Sequence, residues 1–469
     1  MKKTAKLLFE ISLTKEEAMN EVKQYKVVTI KELTDLSDNQ LDWLKILSAI
    51  FKDVGVSFKE DDKIVVLCLE YIKKLGVLLK QTSPSVLRNY MMWQVVVKLA
   101  PDLGSISQPA FHRFKSVVDG SSGTISVWEK CLGEMNDNNG EIGNPLGLIF
   151  IDEKFRKESL DEISKLINDQ REAFISNLEK LDWMDEKTKE KAKEKAKAIR
   201  QNIGYPSYLR DQEELDRRYK ELITTNSSYF SSMLNLRRFT VFKRLSLFKE
   251  PVDKNRWNIP PQTVNAFYDR VTNKITFPAG FLQPPFFDRN FPRAVSYGGI
   301  GIVVAHEITH GFDSNGRKFD KMGDQSNWWT NSSNDAFIRK SQCFIDQYSN
   351  ISVYDMNLNG VQTLGENIAD NGAIKQAYMA YKSWVSNHKE EPRLPGMKYT
   401  NDQLFFISAA QVDCGNVRPQ TAKKYIEQGT HTLNQWRVNL EMSNSKEFSE
   451  AFECPSHSRM NPVRKCQVW

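Results

Sequence analysis

Two histidines four residues apart, with a glutamate directly after the first, stand in the segment 303–312, VVAHEITHGF. On a helix, residues i and i+4 lie one turn apart on the same face. His306 and His310 therefore present two imidazoles that can share one zinc ion, with Glu307 within reach of a water on that ion. Zinc lowers the pKa of such a water to about 7, and a neighbouring carboxylate takes its proton as it attacks a carbonyl. The chemistry implied is hydrolysis of an amide bond. Helix-surface histidines beside a solvated glutamate are the bland alternative, and with only six histidines in the chain chance explains this spacing poorly.

Two imidazoles do not complete a site. No third histidine follows closely enough for the pattern HExxHxxGxxH, which excludes a metzincin arrangement. The best third donor is Glu366, in the segment 364–370, LGENIAD, fifty-six residues after His310. Asp370 is four residues further on and shares the helix face of Glu366. A zinc-bound imidazole usually gives its other N–H to a carboxylate, which fixes the ring. Asp370 suits that role for one histidine and Asp313 for the other. Taken alone, Glu366 and Asp370 read as an exposed acidic helix face; beside the two histidines they read as ligand and orienter.

These side chains need elements to position them. Apolar residues at three- and four-residue spacing predict a mainly helical first half, with long stretches of that spacing over Asp161–Leu181 and Asp211–Leu247. Gly204 and Pro206 punctuate them. The stretch 185–200, DEKTKEKAKEKAKAIR, reads as a solvated helix face. Near residue 250 the texture changes to Pro, Asn and aromatics. Val264–Tyr268 and Lys274–Phe277 read as short strands around a turn at Asp269–Asn273. Gly298–Phe312 reads as a buried helix and Gly365–Trp384 as another. The expected organisation is a helical lobe over 1–255 and a catalytic lobe over 256–469 that mixes helices with a small sheet.

Composition excludes several classes. The 469 residues are 40% hydrophobic, enough for a large core, and a net charge of +6 from interspersed residues leaves no nucleic-acid footprint. No stretch approaches the roughly 20 apolar residues of a membrane span. The N-terminus, MKKTAKLLFEISLTKEE, makes a poor signal peptide because Glu10 interrupts its apolar patch. None of the six cysteines (Cys68, Cys131, Cys343, Cys414, Cys454, Cys466) forms a CxxC pair, which argues against a structural zinc site. Their crowding near the C-terminus fits disulfides in an oxidising compartment, with buried free thiols the alternative. Three Asn-x-Ser sequons, at Asn226, Asn331 and Asn350, carry little weight by themselves.

HEITHGFD with GENIADNG behind it is joined by 264–268 VNAFY, 277–287 FPAGFLQPPFF, 183–189 WMDEKTK, 203–206 IGYP and the ending 460–469 MNPVRKCQVW. Together these motifs resemble the neprilysin and endothelin-converting-enzyme family of zinc peptidases over nearly the whole chain. The resemblance implies a two-lobed, mainly α gluzincin, with a thermolysin-like catalytic lobe and a helical lobe enclosing a cavity. It implies one Zn2+ ion held by His306, His310 and Glu366. Glu307 would polarise the water, and Asp370 would orient a zinc histidine or donate a proton. His431 and Arg437, in 429–437 GTHTLNQWR, would stabilise the oxyanion and bind a substrate carbonyl, as hydrogen-bond donors do. Asn265 and Ala266 would pair with the substrate backbone as an added strand. Phe281, Phe286 and Val303 would line the apolar pocket for the residue after the cut. Partners would be peptide substrates, and the location the outer face of the plasma membrane or a secreted state.

The chain also departs from the family pattern. Relatives are considerably longer type II membrane proteins, so the resemblance implies a start inside the ectodomain and an anchor only in a longer form. It pairs Cys343 with Cys466 and leaves Cys131, Cys414 and Cys454 without mates; Cys68 matches no family cysteine. Asp413 stands where relatives have Trp beside the specificity pocket, which would weaken a preference for large apolar residues or favour basic ones. Two other readings fit the same residues: a chain that binds zinc or peptide but turns over poorly, and a helical scaffold with a coincidental HExxH.

Overall fold

The computed structural model describes residues 2–19, 25–104, 107–121, 125–136, 142–225 and 228–469; the sequon at Asn226 lies outside them. The chain divides into two compact units, Met1–Thr124 with Arg218–Val252, and Ile125–Arg217 with Asp253–Trp469. This differs from a single cut at residue 255. The segment 125–217 belongs with the C-terminal half because its helices bury their apolar faces there.

The first unit is helical, with a two-stranded antiparallel ribbon pairing Lys26–Thr29 with Lys63–Val66. Thr29 closes the ribbon and opens the helix Ile30–Leu36 through a capping box with Glu32, satisfying two otherwise orphaned amides. The helical spacing over Asp211–Leu247 corresponds to two helices, Gln212–Tyr219, most of which belongs to the second unit, and Tyr229–Ser246 in the first. Ser228, whose side chain accepts from the Ser231 amide, starts the second helix.

The second unit carries the chemistry. Among its helices are α1 (Glu158–Glu179), α2 (Glu186–Lys197), α3 (Arg293–Gly298), α4 (Ile300–His310), α5 (Asn331–Ser349), α6 (Leu364–His388), α7 (Asn401–Val412), α8 (Pro419–Gln428) and α9 (Asn434–Asn444). A three-stranded sheet has the order β1 (Arg200–Gly204), β3 (Lys274–Pro278), β2 (Phe267–Asp269), with β1–β3 parallel and β2–β3 antiparallel. The central strand β3 is buried along its whole length, and β2 lies at an edge. The sheet, α1, α4 and the C-terminal Trp469 share one core, in which Phe174, Phe277, Phe312 and Trp469 are nearly inaccessible.

Helices α4 and α6 pack along each other. Gly372 permits this: a Cβ there would stand 2.9 Å from the Thr309 methyl. Helix α6 is also tied by buried polar groups. Asn371 donates to Tyr348 of α5 (3.0 Å) and accepts from Asn444 of α9 (2.8 Å), and Gln376 donates to Thr309 of α4 (3.2 Å). Satisfied buried networks of this kind fix one helix rotation, and here that rotation sets where Glu366 and Asp370 point. A disulfide between Cys343 of α5 and Cys466 anchors the tail. Cys68, Cys131, Cys414 and Cys454 are free. Among the described residues no helix is long and apolar enough to cross a membrane.

The solvated face expected over 185–200 is only partly so. Lys189 and Lys195 of α2 are buried, Lys195 at 1% exposure. Asp185, the N-cap of α2, accepts from the Thr188 amide at 3.0 Å and from the hydroxyls of Thr330 and Ser333 at the start of α5. The two helix N-termini thereby share one carboxylate.

Candidate active site

Helix α4 begins after Gly299 and is buried on almost every side, so its polar residues must find partners inside the protein. His306 Nδ1 lies 2.8 Å from an Asp370 oxygen, and His310 Nδ1 lies 2.6 Å from Asp313 Oδ2. The other Asp313 oxygen accepts the amides of Asn315 (2.7 Å) and Gly316 (2.6 Å). Gly316 is required there because a Cβ would overlap the His310 carbonyl. The Nε2 atoms of His306 and His310 face Glu366 Oε2 of α6 at 3.4 and 3.3 Å.

This convergence is chemically pointed. A neutral ring whose Nδ1–H serves a carboxylate keeps Nε2 as a bare acceptor. Glu366 Oε2 is buried and has no hydrogen-bond partner of proper geometry. Acceptors meeting acceptors in a buried site call for a cation between them. Ligand atoms at zinc distances of 2.0–2.1 Å in a tetrahedron stand about 3.3 Å apart, the spacing observed. The residues therefore fit the metal.

Electrostatics follow the same lines. When no metal ion neutralises the carboxylates, a proton takes that part: burial and His310 push the His306 imidazole down, but Asp370 and Glu366 outweigh them and lift it to about 9. Burial alone would raise Glu366, yet His310, His306 and His431 hold it well below the usual carboxylate range. Glu307, buried beside His306, is pushed up by desolvation.

Further residues close around this core. His431 Nε2 reaches Glu366 Oε2 at 3.1 Å from a half-exposed position ahead of α9. Arg437 of α9 donates Nε and Nη2 to the two Asp370 oxygens at 2.8 and 2.6 Å, a bidentate pair. Its Nη1 lies 3.5 Å from Asp413 at the C-terminal end of α7. Burial pushes Asp413 up despite that guanidinium. Glu441, one turn after Arg437 and 3% exposed, is pushed well up by burial and by Asp370 and Asp413. Neither its part in this network nor the burial of Lys195 was legible in the sequence, because nothing in local spacing distinguishes them from surface charges.

Asn265 is exposed and Ala266 buried immediately before the edge strand β2. Two residues on, Tyr268 flanks Gly311, the residue after His310. Phe281 and Phe286 pack with ring centroids 4.4 Å apart, and Val303 lies half-buried on α4 against the same core.

Fold and site together define a mainly helical gluzincin, with HExxH on one helix and the third donor on another. Two models of peptidase family M13 match the chain, one over residues 2–206 and one over 265–468. The chain belongs to this family. It is 39% identical to human endothelin-converting enzyme 1 over 463 residues, 98% of this chain and 59% of that protein. It is 40% identical to mouse neprilysin over 440 residues, 93% of this chain and 58% of that protein. The chain thus spans less than two thirds of the length of these curated relatives. Among solved structures, the Mycobacterium tuberculosis zinc metalloprotease Zmp1 in complex with an inhibitor superposes with a TM-score of 0.88 at 26% identity, over 100% of this chain and 70% of that one.

Proposed function

We propose that the chain is a zinc-dependent endopeptidase of oligopeptides, with His306, His310 and Glu366 as ligands of one zinc ion. The observation that carries this reading is the meeting of Glu366 Oε2 with the two imidazole Nε2 atoms at 3.3–3.4 Å, each backed by its own partner or left bare. Bound there, zinc would polarise the scissile carbonyl and bring a water to a pKa of about 7. Asp370 and Asp313 hold the two rings so that Nε2 faces inward. Glu307 accepts the proton of the attacking water on its carboxylate and passes it to the departing amine. Its burial suits that work, since a raised carboxyl lies nearer to neutral pH. His431 offers a donor at the mouth of the site for the developing oxyanion. Arg437 orients Asp370 through two hydrogen bonds, and its third nitrogen, 3.5 Å from Asp413, is the donor left for a substrate carbonyl.

Substrate recognition follows from the edge position of β2. An extended peptide pairs with Asn265 and Ala266 as a further antiparallel strand, with the side chain after the cut against Phe281, Phe286 and Val303. Asp413, beside Arg437, tilts that choice toward basic residues. The disulfide Cys343–Cys466 supports an oxidising compartment, consistent with work on signalling peptides outside the cytosol. The test is turnover of a short quenched peptide. Hydrolysis that a chelator abolishes, zinc restores, and Glu307→Gln reduces by about 10²–10⁴-fold with zinc content kept at one per chain supports the reading. An unchanged rate in Glu307→Gln, or a chain that takes up no zinc, overturns it.

A further inference from the structure

Lys195 has no role in the reaction just described, yet it is among the most deeply buried side chains of the protein. It sits near the C-terminal end of α2. Its ammonium donates to three backbone carbonyls, those of Gly311, Gly316 and Phe319, each at 2.7 Å. The faces of Tyr268, Phe312 and Trp328 surround it at 5.9, 5.4 and 5.9 Å. An ammonium has three donors and no acceptor, so this is a fully matched receptor for one. A buried charge held by carbonyl dipoles and ring quadrupoles is costly to assemble, which argues that its location matters.

The three carbonyls belong to one loop, residues 311–319, that runs on directly from His310. The same loop presents Asp313, whose one oxygen holds His310 Nδ1 and whose other is fixed by the amides of Asn315 and Gly316. Gly316 is gripped from both sides, its N–H by Asp313 and its carbonyl by Lys195. The backbone of Lys195 is anchored in turn: its carbonyl accepts from Asn273, which accepts from the Tyr268 hydroxyl of edge strand β2.

We propose that Lys195 is a positioning residue for the metal centre, pinning loop 311–319 so that Asp313 holds the His310 ring in its ligating orientation. The proposal rests on the reading of His306, His310 and Glu366 as zinc ligands. In effect Lys195 extends the chain of support one link beyond Asp313. It also links loop 311–319 to the sheet edge proposed to receive the peptide, since the loop carbonyls and the Tyr268 ring both face this ammonium.

The experiment is a double-mutant cycle on the full chain with Lys195→Met and Asp313→Asn, read by zinc affinity in competition with a chromogenic chelator and by the visible spectrum of the Co2+-loaded protein. Removing support from a metal-bound histidine typically weakens affinity 10–100-fold. The expectation is roughly a tenfold loss for Lys195→Met, a similar Co2+ band shift in both single variants, and a double variant little worse than Asp313→Asn alone. Losses that multiply, or a Lys195→Met affinity within threefold of the parent, would show that Lys195 serves stability only. Should Lys195→Met not fold, Lys195→Gln, which keeps two donors, is read in the same assay. An Asp313→Asn affinity equal to the parent's overturns the proposal whatever Lys195 variants do. A parent chain that binds no zinc at all sinks the ligand assignment instead, so the two failures are distinguishable.

Discussion

Asp370→Asn is the perturbation that tests most of the site at once. The carboxylate is 4% exposed and accepts three charge-assisted hydrogen bonds: from His306 at 2.8 Å and from Arg437 at 2.8 and 2.6 Å. Asparagine is isosteric but carries a donor on one side. That Nδ2 must face either the imidazole N–H or the guanidinium, donor against donor, and the buried Arg437 charge keeps Asp413 at 3.5 Å and the more distant field of Glu366. Removing one member of a buried ion pair costs about 3–5 kcal/mol. Loosening the partner of a metal-bound histidine costs a further factor of about 10–100 in metal affinity. Urea unfolding of the chelator-stripped protein reads the first effect and chelator competition the second. The parent and Asp370→Asn should separate clearly in both. If the zinc dissociation constant stays within twofold and the urea midpoint does not move, Asp370 is not the hub of the site, and the roles given to His306 and Arg437 fall with it.

The His306 imidazole is lifted to about 9, above the usual value near 6.5. A group with a raised folded-state pKa stabilises below its unfolded pKa and loses that contribution as pH climbs through the folded value. The His306 contribution, read as the difference in thermal unfolding between the chelator-stripped parent and His306→Gln, should therefore fall from pH 6.5 to 9, while zinc affinity rises as the protons leave; a flat or rising difference refutes the Asp370–His306 coupling. Asp413→Asn should lower cleavage of peptides with Arg after the scissile bond relative to Phe by roughly tenfold, the size of one charged hydrogen bond; an unchanged ratio removes Asp413 from specificity. Trp469, 1% exposed and packed on Phe174 and Phe312, should cost about 3–5 kcal/mol as Trp469→Ala, measured by chemical denaturation. A loss under about 1 kcal/mol would mean that the tail is not part of the catalytic core.

Much of the site could be read from residue order because helical geometry is local. Any helix over 300–310 places His306 and His310 on one face, and any helix over 364–388 stacks Asp370 over Glu366. Apolar periodicity marked α1, α4 and α6 to within a few residues of their observed ends. Over 211–247 the apolar spacing runs on past the end of the helix at Tyr219, because periodicity does not register where a helix stops. The lysine-rich stretch 185–200 misled: composition describes an average face, and Lys195 and Lys189 are the exceptions on it.

What the amino-acid order determined by itself is the pairing of His306 with His310 on one helix and of Glu366 with Asp370 on another, the donor chemistry and the likeness to M13 peptidases. Only the tertiary structure decided that two helices more than fifty residues apart meet at one point. The same holds for the clasp of Arg437 on Asp370 and for the insertion of a lysine from α2 into the loop after His310. Those outcomes depend on which faces pack and at what rotation. Rotation is set by buried contacts such as Gly372 against Thr309 and Asn371 against Tyr348 and Asn444, which no local pattern encodes.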